Sequence, residues 1–222
     1  MMPVRFPDRR EAGRQLAEEL HHCADRSDVI VLALPRGGVP VAHEVALALR
    51  APLDVFLVRK LGVPGQEELA MGAIATGGVQ VLNEEVLEIA QIAPEEIERV
   101  AAEERIELLR RERAYRGDRP PPDLSDRIVI LVDDGLATGS SMRAAAQAVR
   151  RQGPARIIVA VPTAARETVS ALRAEVDEVV CLMTPEPFYA VGVWYEDFTQ
   201  TSDEEVRSLL ESASQRPGPG SL

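Results

Sequence analysis

Residues 130–141 read "ILVDDGLATGSS". Asp133 and Asp134 close an aliphatic run, and Gly135, Ala137, Thr138, Gly139, Ser140 and Ser141 follow within seven positions. Small residues opening a helix leave backbone N–H groups and aligned peptide dipoles facing outward, which suits a phosphate. Two carboxylates cannot serve that phosphate. A carboxylate only accepts hydrogen bonds, and it does so strongly. Neighbouring ribose hydroxyls supply two donors, so a ribose 5-phosphate derivative satisfies both halves of the stretch. An ordinary strand end capped by Asp before a Ser-capped helix requires one acidic residue, not a pair followed by a run of small residues. The loop lacks the Gly-Lys-Ser/Thr ending of a Walker A motif and the GxGxxG of a dinucleotide loop. With no Walker A loop upstream, the acidic pair does not read as a Walker B strand either.

Three further stretches carry chemistry-bearing residues. In "ALPRGGVPVAHEVA" an apolar run turns through Arg36, Gly37 and Gly38 into a helix. Glycines there permit close ligand approach, and Arg36 offers a guanidinium to an anion. In "FLVRKLGVPG", Arg59 and Lys60 end an apolar run, and Lys60 is the sole lysine among 25 basic residues. A compact, mobile ammonium at the mouth of a phosphate site explains that retention. In "TPEPFYAVGVWYEDF", Phe188, Trp194 and Tyr195 cluster beside Asp197 in a chain with only 4% aromatic residues. Such a cluster either faces a planar ligand or fills a small satellite core.

The stretch "VILVDDGLATGSS" resembles the 5-phosphoribosyl 1-pyrophosphate (PRPP) motif of type I phosphoribosyltransferases. The resemblance implies that Asp133 and Asp134 hold the ribose hydroxyls. It implies that Gly135, Ala137, Thr138, Gly139, Ser140 and Ser141 bind PRPP around its 5-phosphate. "ALPRGGVPVAHEVA" is similar to the family's pyrophosphate loop, which assigns Arg36, Gly37 and Gly38 to pyrophosphate. "FLVRKLGVPG" is similar to its Arg-Lys segment, which adds Arg59 and Lys60. Lys60, Arg59, Asp133 and Asp134 are the implied catalytic residues. The hood of the purine enzymes resembles "PFYAVGVWYEDF" and assigns Phe188, Trp194 and Tyr195 to the acceptor. The implied reaction displaces pyrophosphate from PRPP by a nitrogen nucleophile, with a nucleobase as the expected acceptor. The implied cofactor is Mg2+, carried through PRPP near Asp133 and Asp134 without direct protein ligands. A PRPP- or nucleotide-binding regulator of the same fold, doing no chemistry, is the alternative. The resemblance spans Asp28 to Asp197. It weakens across Gly62–Arg119, which is longer than in the simplest members.

Positioning these residues takes an α/β frame. Apolar runs at "DVIVLAL", "PLDVFLVRKLG", "RIVILVDD", "ARIIVAVP" and "VDEVVCLM" alternate with helical segments. That pattern gives a parallel sheet covered by helices on both faces, with ligands at the carboxyl ends of its strands. The fold class is therefore α/β, and the resemblance implies a type I phosphoribosyltransferase-like parallel sheet flanked by helices, with a hood and an inserted helix. The loops after Leu34, Arg59 and Val132 are expected on one rim. Residues 1–212 read as one domain, with an inserted helical segment at 83–118 and a hood largely at 184–200. Residues 213–222 read as a flexible tail. "GAIATGGVQVLN" reads as a hairpin about Gly77-Gly78. The long helix "APEEIERVAAEERIELLRRERAYRG" carries an apolar stripe through Ile97, Val100, Ala101, Ile106 and Leu108 or Leu109, with Arg110, Arg111, Arg113 and Arg116 on a solvated face.

Composition narrows the partners. A formal charge of −11 disfavours nucleic acid, and the partners the resemblance implies are PRPP and a small-molecule acceptor, with a homodimer allowed. No apolar stretch has the length of a membrane span or the form of a secretion signal, so no membrane partner is expected. Cys23 and Cys181 form no disulfide pattern, and the expected location is the cytoplasm.

Overall fold

The computed structural model describes residues 5–215. At its centre β1 (Val29–Ala33) lies between β2 (Leu53–Val55) and β6 (Ile128–Val132), with β7 (Arg156–Thr163) and β8 (Glu178–Met183) continuing the sheet beyond β6. All four pairings are parallel. Strands β1 and β6 are buried at every position, as uninterrupted Val/Ile/Leu runs require when helices cover both faces. One face carries α1 (Arg9–Glu19) and α2 (Gly38–Leu49), and its core joins Leu16, Val41 and Val45 to Val31 and Ile130. A second, smaller antiparallel sheet consists of β3 (Val58–Val63), β4 (Gln66–Ala75) and β5 (Val79–Leu82).

"PLDVFLVRKLG" is not one strand, contrary to the sequence expectation. It divides between the two sheets. Phe56 and Leu57 bury into the cores on opposite faces of the main sheet. Thr76 fixes the crossing, since Leu57 N donates to Thr76 Oγ1 at 2.9 Å and Thr76 N donates to Leu57 O at 2.9 Å. Arg59 and Lys60 consequently belong to the small sheet and not to the rim of the parallel one. The hairpin about Gly77 and Gly78 is present, both residues having positive φ.

The inserted segment contains α3 (Glu84–Ala90), capped by Asn83, and α4 (Pro94–Arg116). Ala101 and Leu108, seven residues apart, are buried on one face of α4. Ile106 and Leu109 are exposed, because a 3.6-residue turn rotates residue 106 off that face. Arg116 is also not solvated. Its Nε meets both Asp54 carboxylate oxygens at 3.1 Å, and Nη2 donates to Val55 O at 2.9 Å. The last turn of α4 is thereby tied to the end of β2.

The other face carries α5 (Ser140–Arg150) and α6 (Arg166–Leu172), whose buried Ala145, Val149 and Val169 pack on Leu32, Leu131 and Val159. The chain closes with α7 (Asp203–Ser214), where Glu205 N donates to the Ser202 hydroxyl at 3.1 Å. This helix carries ordered structure past the expected boundary at 213. The rest of the expected tail, 216–222, lies outside the described residues.

Candidate functional site

Strand β6 delivers Asp133 and Asp134 to the carboxyl end of the sheet. Asp134 N donates to Asp133 Oδ1 at 2.8 Å. The loop after β1 lies directly on this pair. Leu34 N donates to Val132 O at 2.9 Å, and a Cβ on Gly38 would stand 2.9 Å from the Asp133 Cα. A Cβ on Gly37 would run into Asp134 Oδ2. The glycines of "PRGG" thus let two loops from neighbouring strands touch. The Pro35–Arg36 peptide just before them is cis.

The small-residue loop is anchored below and open above. Leu136 is buried, its N–H donating to Thr163 O and its carbonyl accepting from Ala165 N, each at 3.0 Å. Thr168 Oγ1 donates to Ala137 O at 2.5 Å. Gly139 takes φ 70°, and a Cβ there would lie 2.5 Å from Thr168 Cγ2, so glycine is required twice over. Ala137, Thr138, Ser140 and Ser141 are exposed, and no side chain caps α5. Its first N–H groups therefore face outward beside the Thr138 and Ser140 hydroxyls, which lie 3.2 Å apart. Gly135 differs from the rest. It is buried, and a Cβ would meet Val191 Cγ1 at 2.6 Å, so it serves packing against the hood.

The expected cations diverge. Arg59 and Lys60 are neighbours in a strand and point to opposite faces. Arg59 Nε pairs with Glu104 of α4 at 2.6 Å. Lys60 lines a groove of about 630 Å³ together with Ser140 and Ser141, at the start of α5. Arg36 Nη1 faces Asp203 at 3.7 Å, and Asp203 also accepts from the Tyr115 hydroxyl at 2.7 Å.

The hood is built from both ends of the chain. Phe6 N donates to Trp194 O, Glu196 N to Phe6 O and Asp197 N to Pro7 O, each at 2.9 Å. Tyr195 is 3% exposed, packs on Phe6 and Phe198 with ring centroids 5.5 and 5.1 Å away, and donates to Asp134 O at 2.5 Å. Trp194 is buried and stacks on Phe188 at 6.4 Å. Tyr195 accordingly belongs to a satellite core with Phe6 and Ala12, and both it and Trp194 are buried away from an acceptor. Phe188 is half-buried.

One residue beside the acidic pair escaped the sequence reading. Arg9, in the first turn of α1, places Nε 2.8 Å from Asp134 Oδ2, with the two side chains 10% and 14% exposed. Its Nη1 donates to Thr199 O at 2.8 Å, and its guanidinium lies 3.9 Å over the Phe198 ring. Asp8, the N-cap of α1, fixes where that turn begins. Nothing in "PDRREAG" distinguishes Arg9 from the arginines around it, and 125 residues separate it from Asp134.

Burial pushes both carboxyls up from their ordinary range. For Asp133 the neighbouring Asp134 charge raises it further, well above the ordinary value. For Asp134 burial is opposed by the Arg9 guanidinium. The pair thus takes up a proton more readily than ordinary carboxyls do, while Arg9 favours an ionised Asp134.

Known proteins resemble this chain in sequence and in fold. The family model described as "Phosphoribosyl transferase domain" matches residues 6–196. Two Mycobacterium tuberculosis proteins, each named "Putative phosphoribosyl transferase", are 49% identical over 208 residues, covering 94% of this chain and 47% of each relative. The chain therefore spans about half the length of those relatives. A crystal structure of TT1426 from Thermus thermophilus superposes with a TM-score of 0.84 at 47% identity, covering 94% of this chain and 99% of that one. A hypothetical protein from Neisseria gonorrhoeae, solved with bound ppGpp, shares the fold alone, with a TM-score of 0.51 at 13% identity over 94% of this chain and 96% of its own. The family match covers most of the chain, from Phe6 in the hood to Glu196 beyond the last strand, so the chain belongs to the phosphoribosyl transferase domain family, with the type I α/β fold.

Proposed function

We propose that the chain is an enzyme that binds PRPP across the rim of β6 and transfers its ribosyl 5-phosphate to a nitrogen nucleophile. The observation that carries this reading is the junction of Asp133 and Asp134 with an anchored loop whose helix-start N–H groups face outward. The carboxylates accept from the ribose hydroxyls, and residues 137–141 hold the 5-phosphate. The acceptor nitrogen forms the new bond to ribose carbon 1. Pyrophosphate leaves with the electron pair of the old C–O bond, and the acceptor's surplus proton passes to water. Charge builds on the ribosyl ring and on the departing pyrophosphate, so the protein's contribution is positioning and electrostatic stabilisation. Lys60, in the groove beside Ser140 and Ser141, supplies a mobile positive charge there.

Magnesium fits as an ion carried by the substrate. Among the described residues no three His, Cys, Asp or Glu side chains form a metal-holding group. Pyrophosphate oxygens and water would hold the ion, with Asp133 and Asp134 at hand, and its chemistry is to neutralise pyrophosphate charge. Of Phe188, Trp194 and Tyr195, Phe188 is the one a planar acceptor can reach, since Trp194 and Tyr195 are buried.

The regulator reading draws on one observation: the Arg59–Glu104 pair holds Arg59 away from Lys60. Incubating the protein with PRPP, magnesium and a panel of nucleobases and amines separates the two. Pyrophosphate release that depends on one acceptor supports the enzyme. Tight PRPP binding without release for any acceptor supports the regulator.

A further inference from the structure

The guanidinium of Arg9 stands where three parts of the site meet. Its Nε lies 2.8 Å from Asp134 Oδ2, and that same oxygen lies against the backbone of Gly37 in the loop after β1. Its Nη1 reaches the hood at Thr199 O. The two arginines expected to meet pyrophosphate face carboxylates elsewhere, Arg36 toward Asp203 and Arg59 toward Glu104. Arg9 also lines a groove of about 320 Å³ with Pro40, in the first turn of α2, and Thr199.

We propose that Arg9 is a leaving-group residue, pairing with Asp134 before substrate binds and turning to the pyrophosphate once the ribose hydroxyls occupy that carboxylate. The assignment rests on the PRPP reading of the site. Its physical basis is charge conservation in a poorly hydrated place. A buried carboxylate is costly unless it is paired and hydrogen-bonded. Arg9 meets that need in the free protein. In the complex, the ribose diol donates to Asp134 instead, and the released guanidinium finds a stronger anion beside it. Arginine suits both partners, because its planar fork matches carboxylate and phosphate oxygens alike. Stacking on Phe198 holds the guanidinium plane through the exchange. During transfer, the C–O electron pair moves onto the pyrophosphate, and Arg9 stabilises that growing charge.

Calorimetry with two ligands tests this. PRPP with magnesium uses the 5-phosphate loop, the diol and the pyrophosphate contacts, whereas ribose 5-phosphate lacks the pyrophosphate. Arg9→Ala and Arg9→Gln are compared with the wild type, after thermal melts establish that each variant is folded. The second variant keeps much of the stem and a polar head while removing the charge. Both are expected to bind PRPP about tenfold more weakly or worse, as for one lost charge-assisted contact. Ribose 5-phosphate affinity is expected to hold or rise, since Asp134 is no longer occupied. Unchanged PRPP affinity in a folded variant overturns the assignment. So does an equal loss for both ligands, which marks Arg9 as a support for the hood or for Asp134. Wild-type protein that binds neither ligand removes the PRPP reading itself, and the assignment with it.

Discussion

Gly37 and Asp134 are packed so closely that a single Cβ on residue 37 would run into the Asp134 Oδ2 carboxylate oxygen. The loop after β1 and the acidic pair after β6 are therefore one surface, and neither can be altered alone. Gly37→Ala should displace the Asp134 carboxylate or the loop. The expected cost is about 1–3 kcal/mol of stability, as for overpacking elsewhere, together with weakened PRPP binding. A thermal melt and a calorimetric titration check both.

Asp133 links stability to pH. Its folded-state carboxyl is raised well above 3.8 by burial and by Asp134. The folded state thus binds more protons than the unfolded chain between 3.8 and that raised value. Stability contributed by this group is present at low pH and declines as pH rises through that window. Asp133→Asn removes the buried charge, so it should raise the melting temperature at pH 7–8 while weakening PRPP binding. Each 1 kcal/mol gained moves the midpoint by about 2–4 °C in a chain of this size. Below pH 4 the gain should shrink. A variant that melts at the wild-type temperature across this range argues against a buried, ionised pair.

Lys60 and Arg59 should separate in kinetics, because the strand sends them to opposite faces. Lys60→Ala should lower turnover more than ribose 5-phosphate affinity, as expected of a contact strongest when pyrophosphate charge develops. Arg59→Ala breaks a partly buried pair with Glu104 and should act mainly on the stability of the small sheet. Equal effects of the two on kcat would contradict the divided geometry.

The hood makes a contrasting pair. Tyr195→Phe removes the hydrogen bond to Asp134 O and leaves a buried carbonyl without it, costing about 1–3 kcal/mol of stability. It should leave the acceptor KM unchanged in the surviving folded protein. Phe188→Ala should raise that KM while PRPP affinity holds. If Tyr195→Phe alone raises the acceptor KM, the acceptor reaches deeper under the hood than the burial of Trp194 and Tyr195 allows.

The sheet and the small-residue loop before α5 were legible because their signals are local. Uninterrupted Val/Ile/Leu runs mark strands buried on both faces, and Gly139 and Ser140 mark the start of α5 by their own backbone preferences. Strand β2 was read too long, since the chain changes sheets at Phe56 and Leu57, two apolar residues whose burial on opposite faces leaves no mark in the sequence. Arg116 was read as solvated because its partners, Asp54 and Val55 O, are 62 and 61 residues away. Arg9 was invisible for the same reason. The aromatic cluster was legible as a cluster, but only packing divides it into core, with Trp194 and Tyr195, and a reachable Phe188.

The most direct test is a calorimetric comparison of PRPP and its 2-deoxy analogue, both with magnesium, on the wild type and on Asp134→Asn. The predicted result is tighter binding of PRPP to the wild type, by about 1–3 kcal/mol for hydrogen bonds to a charged group, and a preference that collapses in the variant. Equal affinity of the wild type for the two ligands would contradict the assignment of the acidic pair to the ribose diol.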